Sequence, residues 1–215
     1  MKKAAEKVIQ IAWGQLGYRE GPDNDNIYGL ECGWNCVPWC VIFLWWCFLK
    51  AGQAAAFFHG NRTASCTQLL AGSKVVPIGD MQPGDIVILT FRNDRRIQHC
   101  GLVVKADHLT GNCLTIEGNT QPAGDQSAGG MVLQKIRRYD NIVAVIRPDW
   151  KEEEAMPDAN GRYQKLEDCP AWAQATIQRL LDLDYLQGYE WGLNLSEDMC
   201  RLLVIMDRAG AFRYD

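Results

Sequence analysis

Apolar residues recur at helical spacing over residues 3–16, where Ala5, Val8, Ile9, Ala12 and Leu16 share one face and Gly17 ends the run. Residues 18–36 lose that period, fill with Gly, Asp and Asn, and read as loop. After Pro38 the chain is apolar on nearly every side until a glycine stop at Gly52. A helix without a polar face belongs in the middle of a domain. A shorter helix is predicted over 63–71, closed by Gly72. The period then shortens to two, predicting strands over 86–91, 99–106, 113–117, 130–137 and 142–147 with short connections rich in Gly, Asn and Asp. Helices followed by an antiparallel run of about five strands predict an α+β fold, with the helices packed on one face of the sheet.

Residues 149–162 carry a Lys-Glu-Glu-Glu run, Pro157 and Gly161, which mark a linker. Beyond it, 170–181 and 197–209 read as two amphipathic helices, the second capped by Ser196. The expected organisation is a domain over 1–148, a linker over 149–162 and a small helical module over 163–215.

Charge sharpens that division. Residues 1–150 hold 15 Lys and Arg against 13 Asp and Glu, and residues 151–215 hold 7 against 13. Neither part has the basic clustering of a nucleic-acid binder, and Arg95-Arg96 reads as solvated surface. Nine cysteines without a CxxC pair fit thiols kept in a reducing compartment better than a disulfide framework. The first helix is amphipathic and unlike a signal peptide, and the apolar part of 41–49 is far shorter than the ~20 residues that cross a bilayer. The expectation is a protein made in the cytoplasm, with no membrane insertion.

The chemistry centres on Cys40. Pro38 suits the first turn of a helix, so Cys40 falls in the opening turn, where unpaired N–H groups and the helix dipole favour a thiolate. The common fate of cysteine is a buried core thiol, and that is the reading for Cys47. Cys40 differs because of a hairpin further on. Strand 99–106 opens with His99, and the return strand brings residues near 119–122 opposite it, with Glu117 and Asn119 on one face if the extended conformation continues. His99 would take the Cys40 proton, with Glu117 or Asn119 orienting the ring. His108 lands at the far end of the hairpin, and His59 sits in a loop.

Those residues carry a resemblance. Pro38-Trp39-Cys40 before an aromatic-rich helix, Gly84-Asp85, His99-Cys100-Gly101-Leu102-Val103 and Ile116-Glu117-Gly118-Asn119-Thr120 resemble the CHAP domain. Tyr18-Arg19-Glu20-Gly21 resembles its opening segment and Arg147-Pro148 its end. The resemblance covers about residues 1–148 and implies a papain-like cysteine amidohydrolase or peptidase of bacterial cell walls, common in phage endolysins. It implies Cys40 as nucleophile, His99 as base, Glu117 and Asn119 as the orienting pair, and peptidoglycan as the partner, reached after release from the cytoplasm. Cys100 departs from the family's apolar residue and places an oxidisable group beside the site. In the tail, the run from Trp172 through Gly188 to Arg201 is similar to one S-layer-homology unit, which implies wall attachment; packing or self-association into a homo-oligomer is an equal reading.

Other candidates weigh less. Trp34 and Trp39 flank Cys40 from the loop side and are expected to wall a substrate groove. Cys32, Cys36 and Cys40 are spaced unlike structural zinc ligands, so no metal is expected there. Asp23 and Asp25 alternate with Asn as calcium ligands do, and some CHAP relatives bind calcium before the cysteine, but ordinary turn formation is the favoured reading, with no cofactor expected. An amidase acting on a small molecule and a wall-binding protein without turnover are the alternatives in function.

Overall fold

A computed structural model describes residues 3–91, 96–122, 130–150, 157–189 and 192–212. The chain divides into two compact units, Met1–Glu152 and Glu153–Asp215. Arg95 and the Lys151–Glu154 run of the expected linker lie outside the described residues.

In the first unit, helix α1 (Lys3–Trp13) buries Ala4, Ala5, Val8, Ile9 and Ala12. It ends three residues before the expected 16, and Gly17, at φ 88°, closes the turn that follows. A short helix, α2 (Ile27–Cys32), stands where loop was expected. Its signals are local: Asn26 Oδ1 accepts from Gly29 N at 2.7 Å, and Gly33 closes it in the left-handed conformation. Helix α3 (Cys40–Lys50) buries every residue from Cys40 to Phe48, as its missing polar face requires. It begins at Cys40 with Trp39 as its cap residue, so Pro38 precedes the helix and does not occupy its first turn. Helix α4 (Cys66–Ala71) is capped by Ser65, which accepts from Gln68 N.

The sheet contains β1 (Val75–Val76), β2 (Ile86–Leu89), β3 (His99–Asp107), β4 (Asn112–Thr120), β5 (Met131–Arg138) and β6 (Ile142–Ile146). Its order is β1-β6-β2-β3-β4-β5, antiparallel throughout, and the two-residue β1 was too short to be visible in sequence. Alternation sorts its residues. Ile86, Ile88, Cys100, Leu102 and Ile116 join the core that contains α1 and α3, whereas Val87, Leu89, Val103 and Val145 form a second cluster with Met81. Helices on an antiparallel sheet make the α+β arrangement expected.

In the second unit, α5 (Ala171–Asp182) and α6 (Glu197–Arg208) bury Ala173, Ile177, Leu180, Cys200 and Val204. Ser196 caps α6 by accepting from Met199 N. Among the described residues, no helix is long and apolar enough to cross a membrane.

Candidate active site

Three elements converge. Cys40 is the first residue of α3, where the helix supplies no backbone acceptor for its N–H; the bond that opens the helix runs from Phe43 N to Trp39 O at 2.8 Å. His99 opens β3 and Glu117 lies late in β4. Leu102 faces Ile116 across that pair, so Gly101 falls opposite Glu117, and His99 is its diagonal neighbour. His99 Nε2 lies 3.1 Å from Glu117 Oε2, with both side chains buried.

Two glycines of the signature make this approach possible. A Cβ on Gly101 would stand 2.7 Å from Glu117 Cγ. One on Gly118 would stand 2.5 Å from Phe43 Cβ and 2.7 Å from Trp39 Cζ3, forcing α3 off the sheet.

Glu117 is further held from behind. Arg137 Nε donates to Oε1 at 2.8 Å, its Nη2 donates to Oε2, and Thr115 Oγ1 donates to Oε1 at 2.6 Å. The guanidinium carbon lies 4.7 Å from the centre of the Phe91 ring. Sequence reading missed Arg137. Its signal is that odd-numbered residues of β4 and β5 share a face, Cys113 being opposite Arg137.

The electrostatics follow. Burial raises the Glu117 carboxyl, but hydrogen bonds from Arg137 and His99 outweigh it and bring the pKa down to about 2. Burial also pulls His99 down, yet its hydrogen bonds to Cys40 and Glu117 raise it to about 9. Hydrogen bonds from Cys100, then Cys66, then His99 hold the Cys40 thiol well below its usual range against the penalty of burial. With Nε2 committed to Glu117, Nδ1 is the ring nitrogen left for Cys40. The result is a line of alternating charge: Cys40 thiolate, His99 imidazolium, Glu117 carboxylate, Arg137 guanidinium.

Asn119 does not complete that line. The strand bulges between Glu117 and Thr120, Asn119 takes φ 54°, and among the described residues its side chain makes no hydrogen bond. The extended conformation needed to put it on the Glu117 face stops one residue short.

Trp39 is corrected as well. It is fully buried against Tyr28 and Phe43, with Nε1 donating to Glu20 Oε2, so it belongs to the core and walls no groove. Trp34 is partly buried, with the Arg62 guanidinium 4.6 Å from its ring. Asp23 and Asn24 both have positive φ, and Asp25 Oδ1 accepts from Asn35 Nδ2 at 2.5 Å. His59 pairs with Asp149 at 2.7 Å, and His108 lies at the far end of the hairpin between Met81 O and Tyr139.

Cys100 lies beside the site as expected, and Cys66, which sequence reading had not joined to it, completes a group of three thiols. Cys66 Sγ lies 3.7 Å from Cys40 Sγ, and the sulfurs of Cys40, Cys66 and Cys100 all fall within 4.8 Å of one another.

A search of curated proteins finds no match. Among solved structures, the peptidoglycan hydrolase RipB of Mycobacterium tuberculosis shares 17% identity over 69% of this chain and 66% of its own, with a TM-score of 0.43. The endolysin LysIME-EF1 shares 18% over 91% and 90%, with a TM-score of 0.44. The chain spans 66% of the RipB length and 62% of the RipA structures that also match. The family model described as CHAP domain matches residues 27–119, a stretch that contains Cys40, His99, Glu117 and Asn119. The match to the CHAP domain family thus falls within the first compact unit and takes in the whole Cys40–His99–Glu117 line.

Proposed function

We propose that the chain hydrolyses an amide bond of peptidoglycan through Cys40. The observation that carries this reading is His99 held between the Cys40 thiol and Glu117 inside the stretch that matches the CHAP domain family. The Cys40 thiolate attacks the amide carbonyl, and the N–H groups at the start of α3 offset charge on the oxyanion. The His99 imidazolium then gives its proton to the departing amine, leaving an acyl-enzyme. Neutral His99 takes a proton from water, the resulting hydroxide displaces Cys40, and the thiolate–imidazolium pair is restored. Glu117 orients the ring and balances its charge, while Arg137 keeps Glu117 ionised; in this reading Glu117 takes the orienting role and Asn119 is secondary.

The bond is either the N-acetylmuramoyl–L-alanine amide or a peptide bond of the stem or cross-bridge, since the same groups serve both. The second unit is read as an attachment or self-association module; its acidic balance would be repelled by anionic wall polymers, so charge does not drive attachment.

The test is a digest of purified Gram-positive walls by the native chain and by Cys40→Ala, with new amino ends identified by mass spectrometry. New L-alanine ends from the native chain alone mean amidase, and ends inside the stem or bridge mean endopeptidase. No new ends from several wall types would overturn the reading.

A further inference from the structure

The amide chemistry above uses one thiol, yet three meet at the site. Cys40 opens α3, Cys66 opens α4 and Cys100 lies on β3, so three separate elements bring their sulfurs within 4.8 Å of one another. A tetrahedral zinc ion holds thiolates at about 2.3 Å, which sets its sulfurs roughly 3.8 Å apart. The Cys40–Cys66 separation is 3.7 Å. Cys100 and Cys40 are buried and Cys66 is partly exposed, which leaves an approach from the Cys66 side.

We propose that Cys40, Cys66 and Cys100 form a binding site for a thiophilic d10 cation, Zn2+, with three thiolates as ligands and water in the fourth position. The triangle is set by the fold, so binding needs little rearrangement. Binding displaces the thiol protons and leaves the cluster one negative charge, beside the cationic His99 ring. Soft sulfur ligands select zinc and copper(I) over magnesium or calcium. Cys32 and Cys36 take no part: Cys32 is the buried last residue of α2 and Cys36 is exposed at φ 60°.

Occupancy has a consequence that rests on the hydrolase reading. The sulfur lone pair that attacks the amide would be held by the metal, so one ion would switch the site off reversibly.

The experiment titrates the full-length protein, kept reduced with a phosphine, with Co2+ as a spectroscopic probe and then with Zn2+. One equivalent of Co2+ is expected to give thiolate charge-transfer and tetrahedral d–d absorption that Zn2+ abolishes. Cys66→Ala and Cys100→Ala should lack the spectrum, and Cys169→Ala, in the other unit, should retain it. Absence of the spectrum in native protein, or its persistence in Cys66→Ala, overturns the site. An independent readout in native protein is alkylation of Cys40, which Zn2+ at ten times its Kd should slow roughly 10-fold; unchanged alkylation also overturns the site. Wall hydrolysis should stop at one equivalent of Zn2+ and return with EDTA. Protein that binds the ion yet never cuts walls would sink the hydrolase reading and leave the metal site standing. Protein that cuts walls without binding would sink the metal site alone.

Discussion

His99 Nε2 and Glu117 Oε2 lie 3.1 Å apart because β3 and β4 set them diagonally across a strand pair with Gly101 between them. Glu117 therefore competes with Asn119 for one role, and geometry favours Glu117. Replacing Glu117 by Gln keeps the size but removes the charge that stabilises the imidazolium. Glu117→Gln is expected to lower kcat/KM about 10²–10³-fold on a soluble wall fragment, and Asn119→Ala well under that. Equal losses would show that the bulged conformation of Asn119 is not the working one.

The same pair fixes a pH profile. Cys40 must be ionised and His99 protonated, so activity falls on the acid side as the thiolate takes up a proton. It falls on the alkaline side as His99 titrates near pH 9. Removing the Glu117 charge lowers the His99 pKa, so Glu117→Gln should move the alkaline limb to lower pH. An unmoved limb would mean that Glu117 does not stabilise the charged ring.

Stability follows the same groups, with opposite signs. Glu117, depressed from 4.5 to about 2, contributes stability that is present above pH 4.5 and lost as pH falls toward 2. His99, raised from 6.5 to about 9, contributes stability that is full below pH 6.5 and lost as pH rises through 9. The Tm advantage of native protein over Glu117→Gln should therefore be greatest between pH 4.5 and 6.5. A constant difference across pH would separate the two residues energetically.

Gly101 and Gly79 make a controlled comparison. A methyl on Gly101 meets Glu117 Cγ at 2.7 Å, whereas one on Gly79 meets nothing within 4 Å. Gly101→Ala is expected to cost about 1–3 kcal/mol by chemical denaturation, with activity lost as Glu117 is displaced. Gly79→Ala should match native protein in both. Full activity in Gly101→Ala would show that Glu117 tolerates displacement.

Most of the fold was legible because its signals are periodic and local. The unbroken apolar run of α3 has one physical outcome, burial, and the two-residue period of β3 and β4 paired His99 with Glu117. What escaped depended on tertiary placement. Trp39 beside the nucleophile looked like a groove wall, but Tyr28 on the unexpected α2 covers it. Cys66 lies 26 residues beyond Cys40 in sequence, and only the packing of α4 brings it to Cys40 and Cys100. The conformation of Asn119 depended on a bulge, which alternation does not announce.

Two further signature positions are explained by a contact far from the chemistry. Asp85 at the entrance to β2 is fully buried and receives Arg147 Nε at 3.0 Å and Nη2 at 2.9 Å, as well as Gln82 N at 2.9 Å. Arg147 follows β6, so the pair ties the start of one central strand to the end of its neighbour. Removing Arg147 leaves a buried carboxylate with only its backbone partner, which is far costlier than losing an exposed pair. Arg147→Ala is expected to destabilise the protein by about 3 kcal/mol in denaturant unfolding, while Arg147→Lys, which keeps the charge but not the fork, should lose less. Activity per folded molecule should be unchanged in both, because Asp85 adjoins the end of β2 away from Leu89, the residue that faces His99. A selective loss of kcat without loss of stability would move Asp85 and Arg147 from the scaffold into the working site.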